Sequence, residues 1–297
     1  MDDLRIGSIL KEVSADEELT EADIMIFGFS SDDGCVKNGG RAGASLGPTE
    51  VMKILPKVGP VMNCELDISI EHLKVQWYGK DNGFFHAHDD LSYALSQCWA
   101  CPIVIGGSND QSFPNALGLL MNFPDLDVIN IDAHLDVRPG EGHSGSPFRE
   151  LLNLPAFMGK FTEFAAQGNQ CSKAHVDFVK SKGGDIVWLR EVNKDSFTQI
   201  LSARPNPLFV SFDIDSIRAS DCPGVSCPST RGLTADQALD ICLQAGACER
   251  VVGLDLSEFN PLIENNITPR LVCQMIYHFL LGFSTRTKIS GKKKEDK

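Results

Sequence analysis

Basic residues are scarce in this sequence, and that scarcity excludes a class of partner. Only 27 Lys and Arg stand against 40 Asp and Glu, a formal net charge of −13. A chain this acidic, with no clustered basic face, repels phosphate backbones and anionic lipid. Nucleic acid and membrane surfaces are not expected partners. Long apolar runs are missing too: the best stretch, 271–283, is interrupted by Gln274 and His278, and falls short of the roughly 20 apolar residues that cross a bilayer. The opening MDDLRIGSIL puts acids where a secretory signal carries Lys or Arg, and no apolar stretch follows. A cytoplasmic protein is expected. Cysteines number ten, but they are dispersed and do not form the two CxxC pairs of a structural zinc site. Most are read as reduced core residues.

The chain does contain short apolar runs rich in β-branched residues, at 24–29, 103–105, 128–131, 186–189, 208–212 and 251–254. Runs that do not alternate with polar residues are what strands covered on both faces require. Amphipathic segments at 48–55, 88–99, 111–121, 175–182, 235–244 and 269–282 lie between them. Pro48 in a first turn and Gly246 after a last one are the usual helix punctuation. Strand and helix alternating along the whole length predict an α/β fold, a doubly wound parallel sheet of about eight strands with helices on both faces. No repeat, Gly/Ser linker or composition shift divides the chain, so residues 1–288 are expected to form one domain. The charged end, 289–297, is expected to be a disordered tail.

Ligands of open parallel sheets bind beyond the carboxyl ends of the strands, and four predicted strand ends are loaded with polar groups. They carry Gly106-Gly107-Ser108-Asn109-Asp110, Asp132-Ala133-His134-Leu135-Asp136, Asp213-Ile214-Asp215 and Asp255-Leu256-Ser257-Glu258. In extended chain, Asp132, His134 and Asp136 share one side, as do Asp213 and Asp215. Four carboxylates and an imidazole brought together would repel and drive their pKa values up unless divalent cations were present. Any one of these aspartates could merely cap the turn after its strand. Two such clusters, with a histidine between two aspartates in one of them, point to metal. The excess of oxygen donors favours Mn²⁺ over Zn²⁺, and two ions about 3.5–4 Å apart would employ every ligand.

Taken in order, the GG with Asn109 two residues on, DAHLD at 132–136, SFDID at 211–215 and DLSEFNP at 255–261 resemble the ureohydrolase (arginase) superfamily over most of the chain. The resemblance implies a binuclear manganese cluster, two Mn²⁺ per subunit, held by Asn109, Asp132, His134, Asp136, Asp213 and Asp215. Asp132 and Asp213 would bridge the ions, Asp136 would hold the first, and His134 with Asp215 the second. The superfamily normally has histidine where Asn109 stands. An amide oxygen is the weaker donor, so the first site should be labile, most of all at low pH. Glu258 would face the cluster and grip the nitrogen-rich end of the substrate.

Two further segments, from Asn38-Gly39-Gly40-Arg41 to Gly47-Pro48 and Ser144-Gly145-Ser146-Pro147-Phe148-Arg149, are similar to the formiminoglutamase branch. The activity implied is hydrolysis of N-formimino-L-glutamate to L-glutamate and formamide by a hydroxide that bridges the metals, with Asp136 returning the proton to the leaving nitrogen and His143 assisting. Arg149 is the first choice for the substrate carboxylates, because guanidinium offers paired planar donors. Arg41 is the second, and Asn38 and Ser144 complete the expected substrate contacts. Cys35, on the loop before Arg41, would sit at the pocket mouth and could pair with Cys222, Cys227 or Cys242. Two other readings remain open: an arginase- or agmatinase-type guanidino hydrolase, and a non-catalytic, metal-poor relative. The superfamily also implies a homo-oligomer, possibly a trimer.

Overall fold

The structure is a computed structural model that describes residues 3–13, 22–78 and 84–287. Eleven strands lie among the described residues: β1 (Leu10–Val13), β2 (Ile24–Gly28), β3 (Met62–Asn63), β4 (Ile68–Ser69), β5 (Val75–Tyr78), β6 (Cys101–Ile105), β7 (Asp127–Ile131), β8 (Phe161–Ala166), β9 (Asp185–Trp188), β10 (Leu208–Asp213) and β11 (Val251–Ser257). Nine form one sheet in the order β1-β5-β2-β6-β11-β10-β7-β8-β9, and β3 and β4 make a separate short ribbon. Every pairing in the large sheet is parallel. The α/β architecture is the expected one, with nine strands where about eight were anticipated. The charged end 289–297 lies outside the described residues.

Helices α1 (Asp33–Lys37), α2 (Gly47–Ile54), α3 (His88–Gln97), α4 (Ser112–Leu120), α5 (Pro147–Asn153), α6 (Lys173–Ser181), α7 (Ser196–Ala203), α8 (Ala235–Ala247) and α9 (Thr268–Ser284) follow or join these strands. The period-two geometry of a strand explains how continuous apolar runs feed two layers. In β10, Leu208, Val210 and Phe212 join the core under α8 and α9, whereas Phe209 joins the core under α4, α5 and α6. In β2, Ile24 and Ile26 face the first core, and Met25 and Phe27 face a third beneath α3. Both faces of the central strands are thus dry, which is why they read as unbroken hydrophobic runs. Local signals agree with the helix starts: Thr234 and Gln237 exchange side-chain and backbone bonds in a capping box at α8. No helix among the described residues is long and apolar enough to cross a membrane.

The strand order places the site. Strands β6, β11, β10 and β7 are consecutive neighbours in the middle of the sheet, and they are the four whose carboxyl ends carry the polar clusters.

Candidate metal centre

At the end of β7, the backbone N–H of His134 donates to Asp132 Oδ1 at 2.8 Å; at the end of β10, that of Asp215 donates to Asp213 Oδ1 at 2.9 Å. Each leading aspartate therefore caps its own turn, as the simpler reading of the sequence allows. A carboxylate has more acceptor capacity than such a turn uses. Asp132 Oδ2 and Asp215 Oδ1 are buried without a hydrogen-bond partner, an arrangement that costs free energy unless something positive meets them. The imidazole between them is the nearest proton source: Nδ1 of His134 lies 3.2 Å from Asp132 Oδ1 and 3.5 Å from Asp215 Oδ2.

Donor atoms of Asp132, His134 and Asp136, and of Asp132, Asp213 and Asp215, each fall within 4.8 Å of one another. These two sets share Asp132, and together they contain five of the six residues expected to bind metal. The orphaned oxygens and the oxygen-rich donor set fit a pair of hard divalent cations.

Asn109 completes the ring from β6. Its Nδ2 donates to Asp136 Oδ2 at 2.6 Å, and its Oδ1 accepts from the hydroxyls of Ser112 and Ser257, both at 2.8 Å. Glu258 faces the cluster from β11 and is buried; its Oε1 accepts from the backbone N–H of Asn109 at 2.8 Å. Asp136 and Glu258 are two of the four non-glycine residues with positive φ among the described residues, at 45° and 72°. A side chain held in the left-handed region is strained, and such strain gathers where a site demands a particular direction. The loop carrying Asn109 needs Gly107, because a Cβ there would collide with the carbonyl of Ser31.

Crowding sets the titration of the metal-free site. Burial pushes the carboxyls of Asp136 and Asp213 well above the ordinary range, and neighbouring carboxylates push further. Burial raises Asp215 to about 6 against the pull of His134, and raises Glu258 to about 8 against the N–H of Asn109. Burial acts the other way on Asp132 and His134 too, but their mutual attraction, with Asp215, leaves the carboxylate low and the imidazole raised.

The raised carboxyls bind protons more tightly folded than unfolded. The metal-free fold therefore loses their contribution as pH climbs from the ordinary carboxylate range through about 6 and about 8. Asp132 contributes stability above its ordinary pKa. His134 keeps its contribution until pH passes its raised value, so neither reverses the trend. Melting in chelator and in Mn²⁺ should accordingly show a cation-induced rise in Tm that widens between about pH 5 and about pH 9. A rise that stays constant or shrinks would contradict this account.

Above the cluster lies a cavity of about 230 Å³, lined by His134, Asp136, Asp213, Asp215 and Glu258 at its floor and by Cys35, Asn38, Arg138, Ser144 and Cys227 among its walls. Arg138 Nη1 donates to Asn38 Oδ1 at 3.0 Å, and Asn38 Nδ2 donates to Ser144 Oγ at 3.0 Å. Asn38 and Ser144 thus stand in the pocket as expected.

Three other expectations need correction. Arg149 does not line the cavity: its Nη1 donates to Val137 O at 3.0 Å and its guanidinium lies 4.3 Å from the centre of the Phe178 ring. Arg41 is turned into the wall, where its Nη2 donates to the carbonyls of Val225 and Ser226 at 2.9 and 2.8 Å. His143 is nearly buried and locked in its turn, with Nε2 at 3.2 Å from Pro139 O and Nδ1 accepting from Gly145 N at 3.2 Å. The proline carbonyl can only accept, which fixes the proton on Nε2.

Arg138, not among the candidates drawn from the sequence, is the guanidinium that reaches the cavity. Its place two residues after Asp136, just past the end of β7, is the signal the sequence carries for it. Of the expected partners for Cys35, only Cys227 shares the cavity, while Cys222 and Cys242 are core residues. All ten thiols are free.

Residues 22–282 match the model of the arginase family. A formimidoylglutamase of Enterobacter sp. (strain 638) is 28% identical over 255 residues, which cover 81% of this chain and 80% of that protein. One of Staphylococcus carnosus is 26% identical over 292 residues, covering 91% and 90%. Among solved structures, that of Trypanosoma cruzi formiminoglutamase with Mn²⁺ superposes with a TM-score of 0.90 and 43% identity, covering 96% of this chain and 100% of the other.

Proposed function

Because the chain belongs to the arginase family, we propose that it is a manganese-dependent formiminoglutamase, which hydrolyses N-formimino-L-glutamate to L-glutamate and formamide. The observation that carries the reading is the pairing of two ends in one cavity: a buried carboxylate cluster with orphaned oxygens below, and the Arg138 guanidinium above. Formiminoglutamate has a cationic amidine-like end and two carboxylates, so its charges match those ends.

Asp132, Asp213, Asp136, His134, Asp215 and Asn109 would hold the two cations. When bound, such a pair lowers the pKa of water towards neutrality and so supplies hydroxide for attack on a carbon beside it. Glu258 holds the amidine nitrogens by charge-assisted hydrogen bonds. That orientation brings the formimino carbon to the floor of the cavity and converts the encounter into a positioned reaction. Asp136 takes a proton and returns it to the departing nitrogen of glutamate. His143, tied at both ring nitrogens, assists only by holding the turn that presents Ser144. Arg138, with Asn38 and Ser144 bonded to it in series, receives the distal carboxylates.

Asn109 makes the first cation the weaker of the two. Its amide can present oxygen to the cluster by a half-turn that leaves Nδ2 donating to Ser112 and Ser257, whose hydroxyls serve either as donors or as acceptors. An amide oxygen is a weaker donor than the imidazole of the second site, so the first site is the one a chelator empties first. Assembly as a homo-oligomer, with a trimer the first candidate, belongs to the same reading and is supported by membership of the family.

Incubated with Mn²⁺ and formiminoglutamate, the protein should release formamide and glutamate. Release of urea from arginine or agmatine instead would overturn the substrate assignment. Arg138→Met should raise KM for formiminoglutamate by roughly 10–100-fold, the worth of a charged hydrogen bond, with a smaller change in kcat. An unchanged KM would remove Arg138 from the carboxylate site.

A further inference from the structure

A third donor set in the cavity is chemically unlike the other two. Donor atoms of His134, Asp215 and Cys227 lie within 4.8 Å of one another, with Cys227 Sγ 3.7 Å from His134 Nε2. Bonds of ordinary length from a tetrahedral zinc to sulfur and to nitrogen would separate those two atoms by about 3.6 Å. The thiol is not an incidental surface group. The loop that bears it is clamped to the opposite wall, where Ser226 Oγ accepts from Arg41 N at 2.7 Å, and the Arg41 guanidinium binds the two carbonyls just before Cys227. Asp215 Oδ1, buried and without a hydrogen-bond partner, supplies the oxygen.

We propose that His134, Asp215 and Cys227 form a site for a single thiophilic d¹⁰ cation, Zn²⁺ in the first instance, in competition with the manganese pair. The inference rests on the reading above in one respect only, that His134 and Asp215 serve that pair. Hard Mn²⁺ gains little from sulfur, whereas Zn²⁺ and Cd²⁺ prefer thiolate and imidazole and accept four-coordination. As the S–Zn bond forms, the thiol proton passes to solvent, while His134 exchanges one cation for the other as neutral imidazole; no electrons move. Occupation withdraws His134 and Asp215 from the second manganese, so zinc acts as an inhibitor that a chelator reverses. Cys227 thereby makes the enzyme sensitive to the ratio of zinc to manganese.

The test adds Cd²⁺ stepwise to the full-length, manganese-loaded protein in a thiol-free reductant. It follows the near-ultraviolet sulfur-to-metal charge-transfer band and the manganese released. The band should saturate near one equivalent with parallel loss of manganese, vanish in Cys227→Ser, persist in Cys35→Ser, and be suppressed by prior Zn²⁺. Cys227→Ser should also need about ten-fold more Zn²⁺ for the same fractional inhibition, because hydroxyl is a much poorer zinc ligand than thiolate. A band retained in Cys227→Ser, or lost in Cys35→Ser alone, overturns the proposal. The band and manganese release without formamide production would sink the substrate reading and leave this one standing. Formamide production without a Cys227-dependent band would sink this one alone.

Discussion

Asp213→Ala is expected to lower kcat by roughly 10³-fold or more, since on the proposed reading Asp213 would help to hold both cations and its loss would forfeit several kcal/mol of Lewis-acid and nucleophile chemistry at once. Metal analysis after Mn²⁺ loading and dialysis should fall from two ions per chain to fewer than one. The fold should survive, because Asp213 lies at the end of β10 and the hydrophobic layers lie beneath it. The stability effect should even have the opposite sign. Burial and the neighbouring Asp215 make the Asp213 carboxylate costly in the metal-free protein, so removing charge while keeping shape relieves repulsion. Asp213→Asn, which retains the cap on Asp215 N, should melt above the wild type in chelator at about pH 8 and below it in Mn²⁺. A variant that keeps both ions and its activity would refute the bridging role.

Glu258→Gln tests the opposite wall. The amide keeps an oxygen for the Asn109 N–H and keeps the side-chain length, but loses the charge that an amidinium end requires. The expected loss in kcat/KM is about 10²-fold, the scale of one charge-assisted contact tightened in the transition state. In the metal-free protein burial raises this carboxyl to about 8, so it ionises at neutral pH only with positive charge nearby. Wild-type activity should therefore rise with pH until metal and substrate both hold Glu258 ionised, and the Gln variant should lack that contribution to the rise. Unchanged kcat/KM in Glu258→Gln would place the substrate's nitrogen end elsewhere.

The parts of the fold and centre that were legible in the sequence share one property. Strands such as β7 and β10 are dry on both faces, so their residues had to be apolar, and the polar residues at their ends stood out by contrast. Strands β1, β5 and β8 lacked that contrast. Strand β8 carries Thr162 and Glu163 inside the fold, where Asn130 Nδ2 reaches both oxygens of Glu163 at 3.2 and 3.1 Å, and no pattern in one segment reveals a partner in another. The cavity wall was harder for the same reason. The sequence favours Arg149 and then Arg41, and only the fold decides that Phe178 takes the first guanidinium and the carbonyls at 225–226 take the second, which leaves Arg138 to the cavity. His88 opens α3, at the start of the segment expected to be helical, and it also meets Asp110 Oδ2 at 2.5 Å beside the loop that carries Asn109.

The four strands whose ends carry the carboxylate cluster and Glu258 are inner members of the sheet, flanked on both sides and sealed above and below. The donors consequently sit at or just past the ends of backbone whose amides should be among the last to exchange with deuterium, and that support is expected to hold their spacing with or without ions. Capture of the cations then requires no chain reorganisation, and its speed is governed by how fast each ion sheds its hydration water.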